Sequence, residues 1–169
     1  MGTWAVLLGC RAPADLRDLW PEAEPAWGPL VPGWALGLSS DFEGRANLPE
    51  TLARAPGHAL AATLVDSDFA WVVGAADGEQ RWELFLNAER AAGYNAPLPP
   101  IPAGEDPGLH TALAAWAVEA GLAPPQAGAL RKVLATQHIL ADDALHELLR
   151  VLGILPPASQ SPAGGAVSP

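Results

Sequence analysis

The chain has 169 residues, half of them apolar, with 19 acidic against 9 basic side chains and a net charge of −10. That suits one domain with material for a real core, and it argues against intrinsic disorder over most of the length. It also argues against nucleic acid as a partner, because phosphate binding needs a basic face.

The bases are eight arginines and one lysine, Lys132, a bias that fits a GC-rich coding sequence and points to a bacterial source. The single cysteine, Cys10, excludes an internal disulfide and makes a reducing cytoplasm the simplest home. AVLLGC, residues 5–10, superficially resembles a lipobox. It has no base before it, though, and its apolar run is shorter than the ~7–15 residues of a signal core. No apolar stretch approaches the ~20 residues of a membrane span.

In chain order, residues 3–9 form a short apolar run of strand length. Asp15 to Trp20 follows with Leu16, Leu19 and Trp20 at helical spacing and Pro21 as a stop. Residues 21–33 hold four prolines and Trp27 and read as a loop. A second strand is expected at 33–40, with Trp34, Leu36 and Leu38 on one face. After the loop DFEGRAN, Asn47 has the look of an N-cap, with Pro49 and Glu50 in the first turn and Leu52 inside; that helix ends near Gly57.

The densest β-branched and aromatic run lies between His58 and Asn87 and predicts three consecutive strands joined by tight turns. Asp77-Gly78 is the strongest hairpin signal. Counting from it sets Ala76 against Glu79, Val73 against Trp82, Trp71 against Leu84 and Phe69 against Leu86. With Asp66-Ser67-Asp68 as a three-residue loop, Val65 faces Phe69, Thr63 faces Trp71 and Ala61 faces Val73. A heavy face of Val65, Phe69, Trp71, Val73, Trp82, Leu84 and Leu86 is then expected to bury the main core. Leu60, Ala62, Leu64, Ala70, Val72, Gly74, Arg81, Glu83 and Phe85 fall on a lighter face. A one-residue slip at either turn would exchange these sets.

Asn87 is expected to cap a short helix stopping at Gly93, and residues 95–108 carry five prolines without periodicity. From there the pattern is helical: Leu109, Leu113, Trp116, Ala117 and Ala120, then a helix opened by Pro124-Pro125 with Leu130, Val133 and Leu134, then a third capped by Asp142 with Leu145, Leu148, Leu149 and Leu152. The organisation expected is an α+β sheet domain at 1–94, a proline-rich linker at 95–108, a helical subdomain at 109–155 docked on the sheet domain, and a disordered tail at 156–169. The fold class is an antiparallel, mostly meander sheet of about five strands with short helices, followed by three helices.

Chemistry has few footholds. Asp66 and Asp68, with Asn87 and Glu89 at the same end of the sheet, could supply oxygen ligands to a divalent cation. Asp and Ser are equally the residues a turn needs, because their side chains bond local backbone. His138, Asp142, Asp143, His146 and Glu147 cluster in sequence, but Asp142-Asp143 reads as a new helix start rather than part of a ligand face. Three helices at 109–155 invite a helix-turn-helix reading. Their bases and acids sum to −1, and an Asp142-Asp143 start would aim carboxylates at phosphate. There is no Gly-x-Ser-x-Gly and no phosphate-cradling glycine loop, and no cofactor is expected.

Among the seven tryptophans, Trp20, Trp27 and Trp34 surround the proline-rich loop. They either pin it to the body or, if exposed, form a protein-binding surface. The leading expectation is a non-catalytic cytoplasmic module that binds another protein, with neither nucleic acid nor membrane as partner. Size and acidity are similar to those of immunity proteins and other small inhibitory partners of toxins. Two alternatives are a metal-dependent enzyme or small-ligand binder at Asp66, Asp68 and Glu89, and a docking domain of a larger assembly.

Overall fold

A computed structural model describes residues 5–11, 16–28, 30–40 and 47–158. The start of the first expected strand, Asp15, the 41–46 loop and most of the expected tail lie outside the described residues.

Six strands form one antiparallel sheet: β1 (Ala5–Arg11), β2 (Glu24–Pro25), β3 (Trp34–Ser39), β4 (His58–Val65), β5 (Phe69–Ala76) and β6 (Glu79–Leu86), in the order β2-β3-β1-β4-β5-β6. The class is α+β, as the alternating patterns predict, with β4, β5 and β6 as a meander. The strand the sequence reading missed is β2, two residues of the proline-rich loop that pair with Leu38 and Gly37.

Among the described residues six α-helices accompany the sheet: α1 (Leu16–Leu19), α2 (Leu48–Leu52), α3 (Ala88–Gly93), α4 (Pro107–Glu119), α5 (Ala127–Ala135) and α6 (Ala141–Val151). Asn47 caps α2 as expected, accepting from the Glu50 amide at 3.3 Å while its own amide donates to the Glu50 carboxylate. Helix α4 begins two residues before Leu109, because Asp106 accepts from the amides of Gly108 and Leu109 and Pro107 needs no donor partner. Asp142 is not the cap of α6. Leu140 occupies that position, and both Asp142 and Asp143 lie in the first turn, where carboxylates favour the positive end of the helix dipole. No helix among the described residues is long and apolar enough to cross a membrane.

The turns set the meander. Asp77 and Gly78 both take positive φ, and Ala76 pairs with Glu79 as counted. The β4–β5 register also matches the count, with Val65 against Phe69 and Thr63 against Trp71. The β5–β6 register does not hold past the turn. A bulge between Gly74 and Ala75 shifts it, so Gly74 meets Trp82, Val73 meets Glu83 and Trp71 meets Phe85.

The cause lies in the packing. A Cβ at Gly74 would collide with the Trp82 indole, so the missing side chain is what lets that ring lie against the strand. The shift moves Trp82, Leu84 and Leu86 to the side of Leu60, Ala62, Leu64 and Val72, which corrects the expected division of faces. That combined face is the heavy one, and it shares a core with Leu113, Trp116, Val133, Leu145 and Leu149 of the last three helices. Trp116 stands edge-on to both Trp34 and Trp82 and donates its indole hydrogen to the Ala75 carbonyl at 2.8 Å. On the opposite face, Val6, Leu8, Ala61, Val73 and Ala75 pack with Leu16, Trp20, Leu48 and Leu52 of α1, α2 and their flanks.

Candidate functional site

Where α1 and α2 stop, the second face carries a row of rings. Phe69, Trp71, Phe85 and Tyr94 line a cavity of about 640 Å³, completed by Thr63, Val65, Glu83, Asn95, Ala96 and Pro97. Trp71 and Phe85 are cross-strand partners and lie nearly parallel, 15° apart with centroids at 6.4 Å. Phe69 tilts against both Phe85 and Tyr94. Val65, Phe69 and Phe85 form a small core with Ala91 that anchors the floor, while Tyr94 remains 43 % exposed at the rim.

Two polar contacts shape this groove. The Trp71 Nε1–H donates to Glu83 Oε2 at 3.2 Å, which stations the carboxylate at the edge of the indole. The Tyr94 hydroxyl donates to Asp68 Oδ2 at 2.8 Å. That hydrogen bond, with some desolvation and the nearby charges of Asp68 and Asp66, raises the phenol above its ordinary value. Arg90 braces the same carboxylate at 3.3 Å and also donates to the Ile139 carbonyl at 2.7 Å.

The sequence-predicted residues are distributed as follows. Asp68 is held by Arg90 and Tyr94. Asp66 sits in the turn at positive φ, and Glu89 is exposed on α3. Among the described residues, no group of three or more His, Cys, Asp or Glu side chains is arranged to hold a metal ion. Nor does Asn87 cap α3 through its side chain. Buried and in the left-handed region, its amide donates to the carbonyls of Asp68 and His138 and accepts from the His138 amide. The Ser67 carbonyl accepts from the Ala141 amide. The end of the meander is thereby tied to the connection between α5 and α6, where Ile139 is 82 % exposed and Leu140 is exposed too. His138 lies before α6 rather than on it, opposite Glu147 at 3.6 Å.

Trp20, just after α1, and Trp34, the first residue of β3, are 1 % and 8 % exposed and pack into the second and first core respectively. Trp34 also lines a shallow pocket with Trp27, Leu30, Val31 and Leu36. Trp27 alone of the three keeps exposed area, lying over His146 with centroids 3.8 Å apart.

Counting from the Asp77-Gly78 turn assigns Trp71 to the core, whereas the structure places it, half-buried, at the groove. One signal was present: Glu79, Gln80 and Arg81 are three polar residues in a row, which breaks the period of two and marks an inserted residue. Among the described lining residues the polar groups are the Glu83 carboxylate, the Tyr94 phenol already bonded to Asp68, and the side chains of Thr63 and Asn95. No protein family, curated protein or solved structure compared with this chain matches it.

Proposed function

We propose that the chain is a non-catalytic, cytoplasmic protein-binding module whose partner docks at the Trp71–Phe85 groove. The observation that carries this reading is the groove's make-up: four rings and a single carboxylate, with no basic side chain, among the described lining residues. Aromatic rings in a half-open depression give contact area at little entropic cost, as interface hot spots do. On a molecule of net charge −10 the complementary partner is basic, and the charge steers its approach.

A second support is the extent of the surface. Ile139 and Leu140 are exposed as well, on a loop tied to the end of the sheet by Asn87 and Arg90, so a partner larger than one side chain has further apolar area to cover. Co-expression with the products of adjacent genes, followed by co-purification, tests the reading. One product is expected to form a salt-sensitive complex that weakens at least tenfold when Trp71→Ala and Ile139→Asp are combined, since each removes apolar contact. Association indifferent to both substitutions, or none with any adjacent product, overturns it.

A further inference from the structure

We infer that the side chain this groove accepts from its partner is an arginine. The inference rests on the protein-binding reading above and names the chemistry of its central contact. Trp71 and Phe85 lie nearly parallel on the sheet, and of the two the half-buried Trp71 keeps the more exposed ring face. Glu83 and Phe85 are two residues apart on β6 and so project from the same face. The indole hydrogen fixes Glu83 Oε2 at the edge of the Trp71 ring, and no hydrogen bond from a described residue reaches Oε1.

A flat aromatic surface with a carboxylate at its border matches a guanidinium in two ways at once. The delocalised cation covers the ring face, and its fork donates sideways to the carboxylate. A lysine ammonium can reach the carboxylate but has no plane to lay on the indole. The three-carbon stem of arginine has Val65 and Phe69 to lie against. Arg90, which shares Asp68 with Tyr94 at the rim, is turned to Asp68 and the Ile139 carbonyl. Net charge alone would attract any cation to any part of the surface, so the test must be local.

Capped tripeptides Gly-Xaa-Gly, with Xaa as arginine, citrulline, lysine or leucine, are titrated onto the full chain while the Trp71 indole N–H resonance is followed. Citrulline has the shape of arginine without its charge. The arginine peptide is expected to bind roughly tenfold more tightly than the citrulline peptide, and more tightly than lysine or leucine. Glu83→Gln keeps an acceptor for the indole hydrogen yet is expected to weaken arginine binding several-fold. Glu79→Gln, the same charge change elsewhere on β6, leaves it unaltered. Citrulline, lysine or leucine binding as tightly as arginine overturns the inference. So does the absence of any shift at Trp71, or equal effects of the two glutamate substitutions. None of these outcomes touches the co-purification result, which decides the protein-binding reading separately.

Discussion

One face of the sheet carries Leu60, Ala62, Val72, Trp82 and Leu84 beneath α4, α5 and α6, whereas the other is covered as far as Val73 and Ala75 and then opens at Trp71 and Phe85. Helix length accounts for much of the difference. The eight-residue strands of the meander are about 26 Å long. Helix α4, with 13 residues, runs for about 20 Å, while α1 and α2, with four and five, cover only about 6–8 Å each. Short helices finish one end of their face and leave the rest to the rings that line it. The same sheet thus serves as core on one side and, around Trp71 and Glu83, opens into a groove on the other.

That contrast is most directly broken by truncating one tryptophan on each side. Trp116→Ala removes a buried ring, its edge contacts with Trp34 and Trp82, and the bond to the Ala75 carbonyl, so urea denaturation should register a loss of about 4 kcal/mol. Trp71→Ala, half-buried at the groove, should lose only about 1 kcal/mol. Equal losses would mean that the groove is core after all.

A smaller effect is expected from Gly74→Ala, which drives a methyl into the Trp82 ring and challenges the bulge that assigns residues to faces. A cost of about 2 kcal/mol, or a midpoint lowered by about 4–8 °C, is expected in thermal unfolding. Combining it with Trp82→Leu should cost less than the sum of the two, because the ring that causes the collision is gone. Strict additivity would show that the ring is not what the glycine accommodates.

The mildest probe reads the rim of the groove. Tyr94 is the only tyrosine, so ultraviolet titration of the phenol reports it alone. Its midpoint should lie above the ordinary 10.0 and fall in Asp68→Asn. The sign follows from linkage: a phenol raised on folding stabilises the fold fully below its unfolded value, and that contribution is lost as pH climbs through the folded one. A midpoint at the ordinary value would show that the Asp68 clamp does not form in solution.

Much of the fold was legible because its signals are local. Asp77-Gly78 and Asp66–Asp68 are turns whose φ values and pairings are set by a few adjacent residues, and Asn47 meets its capping partner three residues on. The groove was not legible, because the side to which Trp82, Leu84 and Phe85 project depends on one extra residue. Asn87 misled for a related reason. In sequence it resembles a cap, yet its amide is used by His138, 51 residues away.

By itself, then, the sequence determined the class, most of the strand and helix positions and the two turns of the meander, since each follows from composition or from neighbours within a turn. Only the tertiary structure decided which face became core. That choice depends on the Trp82 ring resting on Gly74 and on Trp116 arriving from a distant helix to meet it, and no local pattern encodes a contact between them. The groove at Trp71 and Phe85 is what remained on the other side once that choice was made.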